Sequence, residues 1–351
     1  MKNGLKHYLD LIKPVDKGVL ETVQKRLDSL TKPQGSLGRL EEVVKHLAMV
    51  QRTAQPCFKN KVIFTLVADH GVVEEGVSAY PQSVTAQMVL NFVRGGAGIN
   101  VLARHAGCEV VVVDMGVSSN LGFSGFINRK IACGTKNFTL GPAMSLDQAE
   151  RSIITGIELA LERDFDLLGT GDMGIGNTTA SSAIAAVLTG VDAALLTDRG
   201  TGIDDITLKR KVEVIRKAIA INKPDPSDPL DVLSKVGGFE IGGIAGLIIG
   251  AALKNRVAVV DGFISTAGAL IASKLSEYVK DYFILSHLSA EKGHRELVAY
   301  LGKKPLFDLG MRLGEGTGAA LAMEVIDAAL SLYYEMATFD EAGVDRELPN
   351  E

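Results

Sequence analysis

The sequence lacks the features that mark several large classes of protein. It has three cysteines, Cys57, Cys108 and Cys133, and no CxxC pair or Cys/His cluster, so neither a disulfide framework nor a zinc site is predicted. We expect the three thiols to be buried or inert. Its 37 basic and 42 acidic residues form no basic stripe, which argues against a nucleic-acid or anionic-membrane partner.

Signals for secretion and membrane insertion are also missing. The first 17 residues carry charges throughout and no apolar core, so no signal peptide is predicted. The apolar run 236–253 is only about 18 residues long, which is marginal for a bilayer. We interpret it as a buried helix, because Gly242, Gly246 and Gly250 recur every four residues and let another helix approach closely. These absences predict a folded, cytoplasmic protein.

Short runs of Val, Ile and Leu alternate with longer segments of helical periodicity. The runs lack polar alternation, which is typical of a parallel sheet covered on both faces, and the alternation itself indicates an α/β fold. The predicted strands are 61–68, 109–114, 166–168, 256–261 and a weaker 282–285. The predicted helices between them are 84–105, 145–163, 178–188, 206–221, 265–279 and 316–336. Glycine-rich turns follow the strands, at the end of the sheet where such folds bind ligands.

The N-terminal segment differs from the rest, because no strand precedes residue 61. Segments 17–30 and 37–52 have the spacing of amphipathic helices joined by a Pro/Gly turn. We predict a small helical subdomain made of residues 1–60 together with the C-terminal helix, about 316–351. It packs on an α/β core of residues 61–315.

The glycine-rich segment 169–179, GTGDMGIGNTT, follows a predicted strand and opens a predicted helix. It contains GxGxxG, the fingerprint of dinucleotide binding, with Asp192 as the acidic partner; this leaves a nucleotide-dependent dehydrogenase as an alternative. Asn177 and Thr178 instead suggest an N-cap and free N–H groups that bind a phosphate monoester. A glycine-rich turn without a ligand is the third interpretation.

Two further segments have the composition of ligand sites. Segment 198–205 places Gly202 shortly before Lys211, which predicts either an anion cradle or a polar surface loop. In segment 311–320, Glu315 lies between glycines in an apolar stretch. Desolvation there raises a carboxyl pKa and suits a general base; the alternative is a helix-start glutamate that only interacts with the helix dipole.

Two loops after strands complete the set of candidates. In 68–81, Asp69 and His70 are catalytic, metal-binding or, as we favour, loop-shaping, while Pro81 holds Tyr80 extended so that its ring faces a planar ligand. In 286–293, Ser289 is placed to cap a helix and contact phosphate. Because no GxSxG elbow or Ser/His/Asp order is present, a hydrolase is not favoured. A regulatory dimer that binds nucleotides without catalysis is a further alternative, but it is disfavoured because it gives no reason for Glu315 between glycines.

Six segments together closely resemble the nicotinate-nucleotide:dimethylbenzimidazole phosphoribosyltransferase family. They occur in order over nearly the whole chain, and the last three are specific to the family. The segments are LTKPQGSLGRLE (30–41), ADHGVVEEGVSAYP (68–81), GDMGIGNTT (171–179), LSKVGGFEIGG (233–243), SHLSAEKG (286–293) and MRLGEGTGAALAM (311–323).

The resemblance implies the fold, the reaction and the partners. It implies a Rossmann-like core of six strands, a small domain of terminal helices and a homodimer, with a heterodimer of paralogous chains as an alternative. The reaction it implies transfers a 5-phosphoribosyl group from nicotinate mononucleotide to an aromatic base, with inversion at the anomeric carbon, in assembly of the cobamide lower ligand. It implies neither a metal nor an organic cofactor.

The resemblance also assigns residues. Glu315 matches the general base. Around the phosphoribosyl group the matching positions are Gly174, Ile175, Gly176, Asn177, Thr178, Gly202, Lys211 and Ser289, and around the acceptor they are Tyr80, Met88 and Leu313. One position departs from the family, which usually has glutamate where this chain has Asp172. Because a shift of roughly 1 Å matters for a catalytic group, the acceptor stays open between a benzimidazole, a purine and a phenol.

Overall fold

The computed structural model describes residues 3–200 and 202–345, and its centre is one six-stranded sheet. The strands are β1 Lys61–Ala68, β2 Glu109–Gly116, β3 Ile127–Asn128, β4 Leu167–Met173, β5 Val257–Val260 and β6 Phe283–Leu285. All neighbours pair in parallel, in the order β3-β2-β1-β4-β5-β6. This is the doubly wound order of Rossmann folds, so the predicted α/β class is confirmed.

Helices cover both faces of the sheet. The α-helices are α1 Asn3–Asp10, α2 Leu20–Ser29, α3 Arg39–Gln51, α4 Ser83–Val93, α5 Gly98–His105, α6 Leu146–Leu161, α7 Asn177–Thr189, α8 Ala193–Leu196, α9 Asp205–Asn222, α10 Pro229–Val236, α11 Phe239–Leu253, α12 Phe263–Leu275, α13 Lys292–Leu301, α14 Thr317–Glu335 and α15 Phe339–Ala342. Short 3-10 helices span Lys17–Val19, Gly71–Glu75 and Glu277–Tyr282. Within the described ranges, no helix is long and apolar enough to cross a membrane.

Several predicted boundaries were wrong for identifiable reasons. The single helix 84–105 is two helices, because Gly95 has a φ of +76° and ends α4. The strand 166–168 continues to Met173, so Gly169 and Gly171 lie inside β4 and not in a turn. Without side chains, these glycines let β4 pack against neighbouring backbone: a Cβ on Gly171 would lie 2.2 Å from the carbonyl oxygen of Glu315. Strand β3 has two residues and was not predicted.

The position of GxGxxG in the strand weakens the dehydrogenase alternative. In the dinucleotide fingerprint the glycines form the tight turn between strand and helix, where the backbone approaches the pyrophosphate. Of the three fingerprint glycines in this chain, Gly169 and Gly171 lie inside β4 and only Gly174 lies beyond it. The first two glycines instead serve packing inside the sheet.

The cysteines are free, as expected, but they are less buried than predicted. Cys57 and Cys133 are exposed, and Cys108 is partly buried. Burial raises the pKa of the Cys108 thiol to about 11, so this thiol is protonated and unreactive near neutral pH. The expectation was of buried or inert thiols; Cys57 and Cys133 are not buried, and their inertness stays a prediction.

The terminal helical segments contact each other across the sequence. Leu30 forms an antiparallel bridge with Thr338, and the hydroxyl of Tyr333 donates to the carbonyl of Ala54 at 2.9 Å. Helix α14 also packs on the sheet, since a Cβ on Gly169 would lie 3.1 Å from Met323. The division into 1–60 with 316–351 and 61–315 stays a prediction, and residues 346–351 lie outside the described ranges.

The glycine-spaced helix α11 is buried inside this chain. A Cβ on Gly246 would lie 2.0 Å from the carbonyl oxygen of Ile153, and one on Gly156 would lie 2.0 Å from that of Gly243. Helices α6 and α11 therefore pack backbone to backbone, as the glycine spacing predicted. The apolar surface of α11 is consequently already covered, and it supplies no argument for a dimer.

Replacing Gly246 by alanine is expected to lower the free energy of unfolding by about 1–3 kcal/mol, the usual cost of overpacking. The added methyl meets backbone of α6, which cannot rotate away. Thermal or urea unfolding measures the change. Gly122→Ala is the matched control, because a Cβ there has no neighbour within 4 Å; equal stability of the two variants would contradict the packing described.

Candidate active site

A cleft of about 400 Å³ lies beyond the carboxyl ends of β4, β5 and β6, where doubly wound folds bind ligands. Its walls contain most of the residues that the sequence singled out. Those in the lining are Tyr80, Asp172, Gly174, Ile175, Gly176, Asn177, Thr178, Lys211, Ser289 and Leu313. Arg199 and Gly200, from segment 198–205, also line the cleft. The cleft therefore brings together residues from all five motifs. Glu315 is not in its lining, although Leu313 and Gly314 of the same motif are.

One end of the cleft has the features of a phosphate site. Lys211 is 1% exposed, and its Nζ donates to Thr178 Oγ1 at 2.8 Å and to the carbonyl of Asp198 at 3.2 Å. Burial lowers the pKa of Lys211 to about 8, against the nearby carboxylates of Glu291 and Asp198. The ammonium donates hydrogen bonds only to neutral oxygens, and within the described residues no carboxylate is within ion-pair distance of it; an anionic ligand would supply a direct charge partner.

Two helices begin at this cleft. Helix α7 starts at Asn177, and α12 starts at Phe263; Gly262, Phe263 and Ile264 line the cleft with the start of α7. The first N–H groups of a helix and its dipole favour bound anions. Sequence reasoning missed the start of α12, because Gly262 is followed by apolar residues that carry no polar signal.

Asp172 lies at the end of β4 and is 5% exposed. Its Oδ2 accepts a hydrogen bond from Asn177 Nδ2 at 2.9 Å, so Asn177 is not the predicted N-cap of α7, which is Gly176. Burial raises the pKa of Asp172 well above its usual value, and the carboxylates of Asp261 and Glu240 raise it further. The raised pKa of Asp172 favours its protonated form, which can donate a hydrogen bond.

Glu315 is held in an unusual backbone conformation. Its φ is +66°, a left-handed value that costs a residue with a side chain roughly 1–2 kcal/mol. Three bonds hold the segment: Glu315 N donates to the carbonyl of Asp172 at 3.2 Å, Thr65 Oγ1 donates to the carbonyl of Glu315 at 2.8 Å, and Gly316 N donates to Asp261 Oδ2 at 3.1 Å. Strain of this kind is found at functional sites where surrounding structure fixes one conformation.

The carboxylate of Glu315 points to the start of α5. Glu315 Oε2 accepts from Ile99 N at 3.0 Å, and the side chain is 5% exposed. Burial raises the pKa of Glu315, while the N–H groups of Ile99 and Gly98 lower it. Those N–H groups favour the charged form of Glu315, whereas burial and neighbouring carboxylates disfavour the charged form of Asp172, so Glu315 is the better suited of the two carboxyls to act as a base.

The acceptor residues implied by the resemblance are only partly assembled. Tyr80 and Leu313 line the cleft and are 51% and 61% exposed. Leu313 approaches the start of α5, since a Cβ on Gly98 would lie 2.8 Å from Leu313 Cδ2 and 3.3 Å from Glu315 Oε2. Met88, on α4, is partly buried and lies outside the cleft lining. Gly202 also lies outside the lining, whereas Gly200 of the same segment is part of it.

The loop after β1 supports the cleft from beneath. His70 Nε2 lies 2.6 Å from Glu240 Oε1, and both side chains are fully buried. The His70 ring lies under the α7 cradle, because a Cβ on Gly174 would be 3.4 Å from His70 Cδ2. Asp69 accepts from the amide and hydroxyl of Ser118. Loop-shaping, the interpretation favoured from sequence, agrees with these contacts.

Ser289 is held in the wall by a buried histidine. Ser289 N donates to His294 Nδ1 at 2.7 Å, and Ser289 Oγ accepts from Glu291 N at 3.3 Å. Helix α13 itself begins at Lys292 with Glu291 at its N-cap position, so the serine stabilises the turn before the helix and does not cap the helix as predicted. Its hydroxyl remains in the cleft lining.

Comparison with known proteins agrees with the site. A family profile described as phosphoribosyltransferase matches residues 12–344. The chain is 54% identical to the nicotinate-nucleotide–dimethylbenzimidazole phosphoribosyltransferase of Geobacter metallireducens (96% of this chain, 97% of the relative) and 51% identical to that of Chlorobaculum tepidum (98% and 99%). The crystal structure of CobT from Thermus thermophilus superposes with a TM-score of 0.90 at 45% identity, over 94% of this chain and all of that one. The chain belongs to the nicotinate-nucleotide–dimethylbenzimidazole phosphoribosyltransferase family.

Proposed function

We propose that this enzyme transfers the 5-phosphoribosyl group of nicotinate mononucleotide to 5,6-dimethylbenzimidazole or a related base, in cobamide biosynthesis. A ring nitrogen of the base forms a bond to the anomeric carbon as the bond to nicotinate breaks. The electron pair of that bond goes to the pyridinium nitrogen, and the N–H proton of the base goes to Glu315. The products are nicotinate and the α-riboside 5′-phosphate.

The observation that supports this proposal is that two parts of the cleft differ in chemistry. Lys211, Thr178 and the starts of α7 and α12 make one part of it suited to a phosphate. We place the base at another part, where Leu313 lines the cleft. The Glu315 carboxylate lies outside the lining but close to Leu313, at the start of α5, which suits an apolar base that must lose a proton. A nucleotide monophosphate and an aromatic acceptor together match both parts.

In this scheme Asp172 donates a hydrogen bond instead of accepting a proton. Its raised pKa favours the protonated form, and it lies between Asn177 and the backbone of Gly314. From that position it stabilises an oxygen of the ribose or orients the acceptor. Because aspartate is one methylene shorter than glutamate, it leaves more room above β4 for the substrate.

The acceptor is tested by measuring kcat/KM with one donor and three acceptor classes: benzimidazoles, purines and phenols. We expect dimethylbenzimidazole to be the most efficient, because its ring N–H is matched to a single carboxylate base and its methyl groups to Leu313. A phenol preferred by tenfold or more over every benzimidazole would overturn the proposed acceptor while leaving the donor unaffected.

We further propose that the chain acts in the cytoplasm as a homodimer, on the strength of the family resemblance. Sedimentation velocity of the purified chain at micromolar concentration is expected to show a dimer. Because the chain is purified without a paralogue, dimerisation would also show that no second kind of subunit is needed. A stable monomer with full activity would contradict the homodimer.

A further inference from the structure

His287 is a buried side chain in the cleft wall whose ring nitrogens both lack partners. It follows β6, is 1% exposed and belongs to the cleft lining. Neither Nδ1 nor Nε2 has a hydrogen-bond partner among the described residues. More than about nine in ten buried polar groups are bonded in folded proteins, so two unpartnered nitrogens on a side chain that lines a ligand cleft indicate that a ligand supplies a partner.

The neighbouring His294 shows what a satisfied histidine looks like here. Its Nδ1 accepts from Ser289 N at 2.7 Å, and its Nε2 lies 2.9 Å from Thr266 Oγ1. The threonine hydroxyl already donates to the carbonyl of Gly262 at 2.8 Å, so Nε2 of His294 must carry the proton. Both ring nitrogens of His294 thus form hydrogen bonds within the protein, whereas neither ring nitrogen of His287 does so among the described residues.

The contacts of the ring show which edge faces the ligand. A Cβ built on Gly262, which lines the cleft, would lie 3.4 Å from His287 Nε2, whereas one on Gly318 would lie 2.8 Å from Nδ1. The Nε2 edge is therefore on the cleft side. Edge-on contacts with Phe307 and His294, at ring-centroid distances of 6.1 and 6.4 Å, fix the plane of the ring.

The protonation state of His287 narrows the chemistry of the partner. Burial lowers the pKa of His287, and the distant charge of Asp308 opposes this only in part. A neutral imidazole offers one donor and one acceptor, which suits a hydroxyl better than a phosphate oxygen. Lys211 and Thr178 form the proposed phosphate site, and the nicotinate carboxylate offers acceptors only, so a ribose hydroxyl, which both donates and accepts, is the donor group that fits this imidazole.

We propose that His287, through Nε2, binds a ribose hydroxyl of the donor and makes the enzyme select ribose over deoxyribose. The proposal rests on the proposed function, since it assumes a phosphoribosyl donor in this cleft. His287 takes no part in the proton transfer, which involves the acceptor and Glu315. Its contribution is to binding the sugar and to placing the anomeric carbon.

The test compares donor binding by calorimetry for nicotinate mononucleotide and its 2′-deoxy and 3′-deoxy analogues. For the wild-type chain, removal of the hydroxyl that His287 binds should weaken binding by about 5- to 100-fold, because a buried polar group then loses its partner. The amide of His287→Asn reaches only the position of Nδ1. In this variant the dissociation constants of the deoxy analogue and of nicotinate mononucleotide should agree to within about twofold. In His287→Gln, whose amide reaches the Nε2 position, at least part of the discrimination should return.

The outcomes separate the two proposals. If the wild-type chain fails to bind nicotinate mononucleotide, the proposed function is overturned. A second outcome concerns variants that melt like the wild-type chain. If the wild-type chain binds the donor, and both variants still discriminate against the deoxy analogue as the wild-type chain does, only the role of His287 is overturned. A wild-type chain that binds all three donors equally overturns that role as well, without any variant. Equal losses in His287→Asn and His287→Gln would count against Nε2 as the contact.

Discussion

Replacing Glu315 by glutamine is expected to lower turnover by about 10²–10⁴-fold, the usual contribution of a general base. Glutamine keeps the shape of the side chain and can still contact the start of α5, but it cannot take the proton of the acceptor. Donor binding should change little, because the donor carries no proton to be removed. Steady-state and single-turnover kinetics with a fixed donor measure the effect.

The comparison variant is Asp172→Asn, which keeps a hydrogen-bond donor above β4. We expect it to lose less activity than Glu315→Gln, since the raised pKa of Asp172 favours a protonated carboxyl that asparagine can replace as a donor. The wild-type enzyme should also lose turnover as the pH falls through the raised pKa of Glu315, and this acid limb should vanish in Glu315→Gln. Near wild-type turnover in Glu315→Gln with an inactive Asp172→Asn would identify Asp172 as the base.

Replacing Lys211 by methionine is expected to weaken donor binding by about 10- to 150-fold, because a charge-assisted hydrogen bond contributes roughly 1.5–3 kcal/mol. Methionine fills the buried volume of the lysine stem, so the loss reports on charge and not on packing. Calorimetry with nicotinate mononucleotide measures it. Lys209→Met, at an exposed position on the same helix α9, should bind the donor normally.

The pH dependence of donor binding provides an independent check on Lys211. Its ammonium is charged below a pKa of about 8, so affinity of the wild-type enzyme should fall as the pH rises through that value. Lys211→Met should show no such fall. Unchanged donor affinity in Lys211→Met would place the phosphate elsewhere in the cleft.

The sequence predicted those parts of the fold that are determined locally. Strand β1 was predicted to the residue, because its continuous Val, Ile and Leu run is bounded by polar residues and a glycine. Strand β3, with two residues, is too short for any periodicity. The break at Gly95 was missed because one glycine inside a helical pattern is compatible with either a break or a continuous helix.

The site was predictable where a motif follows a strand, and not where tertiary contacts decide. The motif that runs from β4 into α7 contains Asp172, and the motif before α14 contains Glu315, so both carboxyls were candidates from the sequence. The pairing of His70 with Glu240 joins residues 170 positions apart, and no local pattern announces it. His287 stood in a motif whose function was assigned to Ser289, since a lone histidine does not show from sequence whether its nitrogens have partners.

Release of nicotinate from nicotinate mononucleotide, measured with and without 5,6-dimethylbenzimidazole, tests the central claim most directly. Release should depend on the base, with one α-riboside 5′-phosphate formed for each nicotinate. In the same assay the rate of release by Glu315→Gln should be lower by about 10²–10⁴-fold. Nicotinate released equally fast without any acceptor, or not released at all in its presence, would contradict the claim.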